Sequence, residues 1–217
     1  MDFAAARLHM VDSQIRPNKV TDERVVDALA TVPREAFVSE DKQGVAYIDD
    51  AIAIEGGRYV MAPMVLARLM QALDLRSGDV ALSIGLGTGY AAAVLARLVS
   101  TVVAVESDKG LAQNATRVLT DLAIDNVAVV DGPLADGYPK QAPYDAIFFN
   151  GAVDDIPDAV AGQLTEGGRL VAVVLSSGGI GRAVMVTRYG DTLSRREVFD
   201  CNTPRLPEFE SDPAFTF

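Results

Sequence analysis

Three glycines at alternate positions, Gly85, Gly87 and Gly89, stand directly after the apolar run Val80-Ala81-Leu82-Ser83-Ile84 and before an alanine-rich stretch, residues 91–98. Glycines in such a place let a buried strand turn sharply into a helix and let a ligand approach bare backbone. The free N–H groups and the positive dipole end of the helix favour an anion. The loop therefore reads as a nucleoside-cofactor turn, and the chemistry it could support depends on which anion it receives.

Two cofactor classes use such a loop. The dinucleotide fingerprint asks for Gly or Ala three positions after its second glycine, so that helix and strand pack closely. Tyr90 stands there. The spacing is instead the one associated with S-adenosylmethionine, whose methionine carboxylate would face the helix start. Taken alone, the same glycines are also an ordinary strand-to-helix turn of an α/β protein.

Further acids and amides fall at the ends of neighbouring apolar runs. Thr101-Val102-Val103-Ala104-Val105 ends in Glu106, at the distance from the first glycine where a carboxylate can bridge both ribose hydroxyls. By itself Glu106 reads as a solvated strand-end acid; the preceding glycine loop is what favours the ribose role. The run 127–130 ends in Asp131-Gly132, and Tyr144-Asp145-Ala146-Ile147-Phe148-Phe149 ends in Asn150-Gly151-Ala152. Asp131 could accept from an adenine amino group, and Asn150 could touch the transferred group or the acceptor, although Asp-Gly and Asn-Gly are also common turn pairs.

Positioning these groups requires an open parallel sheet, because ligands then sit in one crevice at the carboxyl ends of the strands. The central region, residues 79–175, alternates strands with helical patterns at 111–123 and 156–164, then turns at Gly167-Gly168 into the strand 169–175. This alternation implies a doubly wound, mostly parallel α/β sheet. Residues 3–75 read as mainly helical, with a helix start at Thr21-Asp22-Glu23-Arg24, a stop at Pro33 and a second helix after Pro63. The intervening segment, 46–59, has no helical period and could be a lid over the cofactor. Residues 183–188 and 192–200 flank Tyr189-Gly190-Asp191, the signature of a C-terminal antiparallel hairpin. The ending, 209–217, is expected to be mobile or to pack across a partner subunit.

Composition limits the alternatives. A chain of 217 residues with 49% hydrophobic content can bury one sizeable core. One domain over 1–217 is expected, divided into a helical substrate-side region (1–75), a cofactor-binding core (76–175) and a C-terminal hairpin and tail (176–217). The net charge of −11 argues against nucleic acid and anionic membranes as principal partners. A single cysteine, Cys201, excludes an internal disulfide framework, and a single histidine, His9, excludes a histidine-rich metal centre. Residues 1–10 lack an apolar signal core, so the cytoplasm is the expected compartment.

From residue 10 to about residue 175 the chain resembles the protein-L-isoaspartate O-methyltransferase family, a class of cytoplasmic protein-repair enzymes dependent on S-adenosylmethionine. The resemblance rests on ordered, spaced motifs: Val20-Thr21-Asp22-Glu23-Arg24-Val25, Val32-Pro33-Arg34-Glu35-Ala36-Phe37-Val38, Ala46-Tyr47, the loop from Ile84 to Tyr90, Asp131-Gly132, Pro143-Tyr144-Asp145 and Gly167-Gly168-Arg169-Leu170. It implies a seven-stranded sheet with helices on both faces, S-adenosylmethionine as cofactor, a protein or peptide substrate, and a monomer or homodimer. It carries cofactor contacts onto Gly85, Gly87, Gly89, Glu106, Asp131 and Gly132.

Departures from the family pattern cluster on the substrate side, at Tyr59, Val60, Met61, Ala62 and Asn150. Where the family typically has Ile-Ser-Gln-Pro, with the serine its characteristic active-site residue, this chain reads Val60-Met61-Ala62-Pro63. A hydroxyl and an amide donor are thereby replaced by apolar side chains. The acid usual just before the glycine loop is Ser83, which also belongs to the expected cofactor set, and the family's Thr-Ala-Ala after the fourth strand is Asn150-Gly151-Ala152.

Methyl transfer from a sulfonium to a carboxylate is an in-line displacement whose nucleophile is already ionised near neutral pH, so it needs no general base. Alignment supplies the rate, on the order of 7–11 kcal/mol for well-oriented reactants. Three readings follow: a carboxyl methyltransferase acting on isoaspartyl residues, with backbone groups near 57–63 holding the substrate; a methyltransferase with another acceptor; and a cofactor-binding protein that acts through interaction.

Overall fold

A computed structural model describes residues 1–176 and 178–209. A seven-stranded sheet runs through it: β3 (Val80–Ile84), β4 (Thr101–Glu106), β5 (Val127–Asp131), β6 (Tyr144–Val153), β7 (Leu164–Leu175), β8 (Gly181–Tyr189) and β9 (Thr192–Asp200). The order across it is β5-β4-β3-β6-β7-β8-β9, with the first five strands parallel and β8 and β9 antiparallel. The chain thus starts the sheet in the middle, builds one edge, then returns to build the other, which places the topological switch point between β3 and β6.

The apolar runs are continuous because both faces of the inner strands are covered. Ala81, Val102, Ala104, Ala146 and Phe148 face one apolar cluster, together with most buried residues of the first 75. Their neighbours Leu82, Ile84, Val103, Val105, Ile147 and Phe149 face a second. Helices α1 (Phe3–Met10), α2 (Glu23–Thr31), α3 (Pro63–Ala72), α4 (Tyr90–Ala96) and α5 (Lys109–Asp121) begin at recognisable signals. Asp2, Asp22 and Asp108 accept hydrogen bonds from first-turn N–H groups of α1, α2 and α5, and Pro63 opens α3.

Three local expectations change. The helix expected at 156–164 shrinks to α6 (Asp158–Ala161), because Pro157 opens it and Gly162 closes it before Leu164 enters β7. Gly167-Gly168 lies inside β7 at a register shift opposite β6, not in a turn ahead of it. Asn150-Gly151-Ala152 likewise continues β6, because Ala152 pairs with Val173 and exchanges backbone hydrogen bonds with Pro204 and Leu206. The C-terminal hairpin forms as expected, with Tyr189 opposite Thr192 and Gly190 at φ +58° in its two-residue loop.

Segment 46–59 contains β1 (Ile52–Ala53) paired antiparallel with β2 (Tyr59–Val60). This small hairpin lies against the glycine loop: a Cβ on Gly87 would come within 3.1 Å of the Ile54 side chain. No helix among the described residues is long and apolar enough to cross a membrane.

Candidate active site

The glycine loop is held from beneath by the sheet. Gly85 and Leu86 both donate their N–H to Val105 O (3.0 and 3.1 Å). Gly85, Gly87 and Gly89 have φ of +80°, +58° and +101°, so each occupies backbone space that a side chain would strain. Thr88 Oγ1 donates to Phe37 O (2.7 Å), tying the loop to the helical layer.

Tyr90, where a dinucleotide site would want a small residue, is 3% exposed. Its ring meets Phe37 edge-on (5.6 Å between centroids), and the Arg34 guanidinium lies 4.9 Å from its centroid. Burial pushes the Tyr90 hydroxyl above the usual tyrosine range and pulls Arg34 below the usual arginine range. A fully buried cation on an aromatic face accounts for the bulky residue here.

Glu106 is fully buried beside the loop. Its Oε2 accepts from Gly87 N–H (2.8 Å), and its Oε1 accepts from Ser107 N–H (2.9 Å), Asp108 N–H (3.1 Å) and Arg58 Nη2 (2.9 Å). It is therefore not a solvated strand-end acid: a buried carboxylate is tolerable only with this many donors. Asp131, in register beside Glu106, keeps a half-exposed side chain 3.6 Å from Lys109 Nζ, and Gly132 N–H donates to Glu106 O (3.1 Å). Ser83 is buried within β3, and its Oγ has no hydrogen-bond partner among the described residues.

Across the loop, Tyr59, Val60, Met61 and Asn150 come together with Leu86, Thr88 and Tyr90 around a small cavity of about 10 Å³. Asn150 Nδ2 donates to Gly85 O (2.8 Å), while its Oδ1 is unpartnered among the described residues. Met61 is 2% exposed. Ala62 does not join them; it precedes α3 and lines an outer groove with Asp50 and Thr203.

No local signal in the sequence marks Arg58 as part of the site. Only 5% exposed, it reaches Glu106, Ser107 Oγ (2.9 Å) and Glu208 Oε1 (3.1 Å) through a single nitrogen, Nη2. No spacing signal links position 58 to positions 106 and 208. At Cys201, burial pushes the thiol up to about 11.

A parallel sheet with its glycine turn after the first central strand and a buried, donor-rich acid at the end of the next is the architecture of S-adenosylmethionine-dependent methyltransferases. Comparison with known proteins narrows the class. The family model "Protein-L-isoaspartate(D-aspartate) O-methyltransferase (PCMT)" matches residues 5–199, and the chain belongs to this family. It is 37% identical to the protein-L-isoaspartate O-methyltransferase of Koribacter versatilis, covering 92% of this chain and 89% of that one. It is 39% identical to that of a Roseiflexus species, covering 92% and 91%. A solved protein-L-isoaspartate O-methyltransferase superposes with a TM-score of 0.82 at 28% identity, over 92% of this chain and 65% of that one. A Plasmodium falciparum structure of the same family name, in complex with S-adenosyl-L-homocysteine, shares the fold with a TM-score of 0.80 at 19% identity, over 93% and 98%. The protein is a methyltransferase, and its cofactor is S-adenosylmethionine.

The residues present suit that cofactor. The loop offers bare backbone, Glu106 stands directly beside it as a buried carboxylate, and Ser83 Oγ and Asn150 Oδ1 are buried polar atoms without partners among the described residues. Bound there, the cofactor supplies an electrophilic methyl group on a positively charged sulfur.

Proposed function

We propose that the chain methylates a carboxylate of isoaspartyl type on a protein substrate. The observation that supports this reading is the small cavity in which Tyr59, Val60, Met61 and Asn150 meet Leu86 and Thr88 of the glycine loop. In this reading Glu106 holds the ribose, Asp131 the adenine amino group, and Gly85, Gly87, Gly89, Gly132 and Ser83 the rest of the cofactor. Asn150 presents its free Oδ1 toward the acceptor side, and the backbone of Tyr59 to Ala62 positions the substrate in place of a serine hydroxyl. The site supplies alignment and exclusion of water and moves no proton, since the acceptor is already ionised.

The apolar Met61 in that cavity favours a second reading, an acceptor whose neighbouring group is apolar rather than hydrogen-bonding. A monomeric or dimeric cytoplasmic protein fits the net charge of −11. A labelled methyl-transfer assay on an isoaspartyl peptide beside its aspartyl counterpart tests the primary reading. Base-labile label on the isoaspartyl peptide alone supports it; label on neither, with cofactor bound, rejects it.

A further inference from the structure

After β9, residues 201–209 turn back across the carboxyl ends of the central strands. Ala152 N–H donates to Pro204 O (2.9 Å) and Leu206 N–H to Ala152 O (2.8 Å), fixing the segment as a short parallel addition at the end of β6. From there it proceeds over the switch point. Leu206 is 2% exposed and fills the space left by two glycines: a Cβ on Gly85 or on Gly151 would come within 2.7 Å of it. Pro207 lies over Gly57, where a Cβ would come within 3.2 Å. Phe209 meets Phe149 edge-on, 5.7 Å between centroids.

Glu208 completes the crossing. Its Oε1 accepts from Arg58 Nη2 (3.1 Å) and from the Ser107 hydroxyl, and its Oε2 accepts from Leu134 N–H (3.1 Å). Ser107 and Leu134 stand just beyond β4 and β5, next to Glu106 and Asp131-Gly132, and Arg58 reaches Ser107 from the turn between β1 and β2. In an open α/β sheet this is the crevice into which a nucleoside must enter. Leu206 and Glu208 therefore put an apolar side chain against the glycine loop and a carboxylate on the donors beside the ribose acid, while Arg58 occupies Glu106 itself.

We propose that segment 204–209 is an autoinhibitory strap that competes with S-adenosylmethionine for the crevice, with Glu208 latched on Arg58, Ser107 and the Leu134 amide. Cofactor entry displaces the strap and frees those donors. Apparent cofactor affinity is then the intrinsic affinity reduced by the fraction of molecules with the strap open. The inference rests on the cofactor's place at the loop and not on the identity of the acceptor.

Calorimetric titration of the full chain with S-adenosylhomocysteine tests it, comparing wild type with Glu208→Gln and Leu206→Ala, each checked by thermal melting. Glu208→Gln is expected to bind on the order of tenfold more tightly, and Leu206→Ala also more tightly. Hydrogen exchange of wild type gives a second readout: saturating ligand is expected to speed exchange of the Leu206 and Phe209 amides. Unchanged or weakened affinity in Glu208→Gln, or ligand-induced protection of those amides, overturns the competition and makes the segment a cover over bound cofactor. No binding by wild type or either variant overturns the strap together with the placement of the cofactor. Neither readout uses an acceptor, so failure of isoaspartyl methylation leaves both unaffected.

Discussion

The two sides of the crevice are built on opposite terms. On the cofactor side each oxygen of Glu106 has a protein donor, and the loop is fixed by hydrogen bonds to Val105 and Phe37. On the acceptor side Met61 and Val60 contribute apolar surface, and Asn150 Oδ1 and the Tyr90 hydroxyl are buried without partners among the described residues. Glu106 is thus held in place before ligand arrives, at the expense of occupying its own oxygens, while Ser83 Oγ stays without a partner among the described residues. The acceptor side leaves its polar atoms free and depends on what enters. In the proposed reading, affinity for cofactor is set by competition with segment 204–209, whereas acceptor choice is set by the few side chains that line one cavity.

Substitutions can break this contrast, the strongest on the cofactor side. Glu106→Ala leaves Arg58 buried beside a lost partner, and loss of one member of a buried ion pair costs about 3–5 kcal/mol. Urea unfolding should show that loss and calorimetry should show cofactor binding abolished; an unchanged affinity removes Glu106 from the ribose role. Met61→Ser restores a hydroxyl to the acceptor cavity. It is expected to destabilise by about 2–3 kcal/mol through loss of buried side chain while raising isoaspartyl methylation by roughly tenfold or more. A destabilised variant with no gain in methyl transfer would detach acceptor choice from position 61.

Smaller effects sharpen the same contrast. Gly85→Ala forces a side chain into φ +80° against Leu206 and should lower the melting free energy by about 1–3 kcal/mol. Asn150→Ala removes the 2.8 Å bond to Gly85 O, at a cost of about 1 kcal/mol, and is expected to raise KM for acceptor more than it alters cofactor affinity. Equal effects on both would place Asn150 on the cofactor side. Cys201 should show the least. With its thiol raised to about 11, the folded state holds the proton more tightly than the unfolded one. Its contribution is full below the ordinary thiol range of about 8.5 and declines as pH rises through 11. Reaction with a thiol reagent at pH 8 should be slower than for the unfolded chain.

Much of this was legible in order along the chain. Gly85 to Gly89, Glu106 and the hairpin at Gly190 are local signals, because glycine φ, strand ends and two-residue turns are decided within a few positions. Met61 stood out against the family pattern for the same reason. The boundaries of β6, α6 and β7 escape the sequence where pairing overrides composition: Asn150-Gly151 looks like a turn but lies inside β6 at the register shift between Phe148 and Ala152, and Gly167-Gly168 looks like a turn but sits at a register shift in β7.

What the sequence alone determined is the parallel sheet, the cofactor loop and the acid beside it, since apolar period and glycine placement act over short spans. Only the tertiary structure decided who occupies that acid. Arg58 lies 48 positions from Glu106, and Glu208 lies 150 positions from Arg58. No local pattern encodes that meeting; it arises because burying Glu106 demands a cation, and the fold brings Arg58 and the returning C-terminal segment to the same end of the sheet.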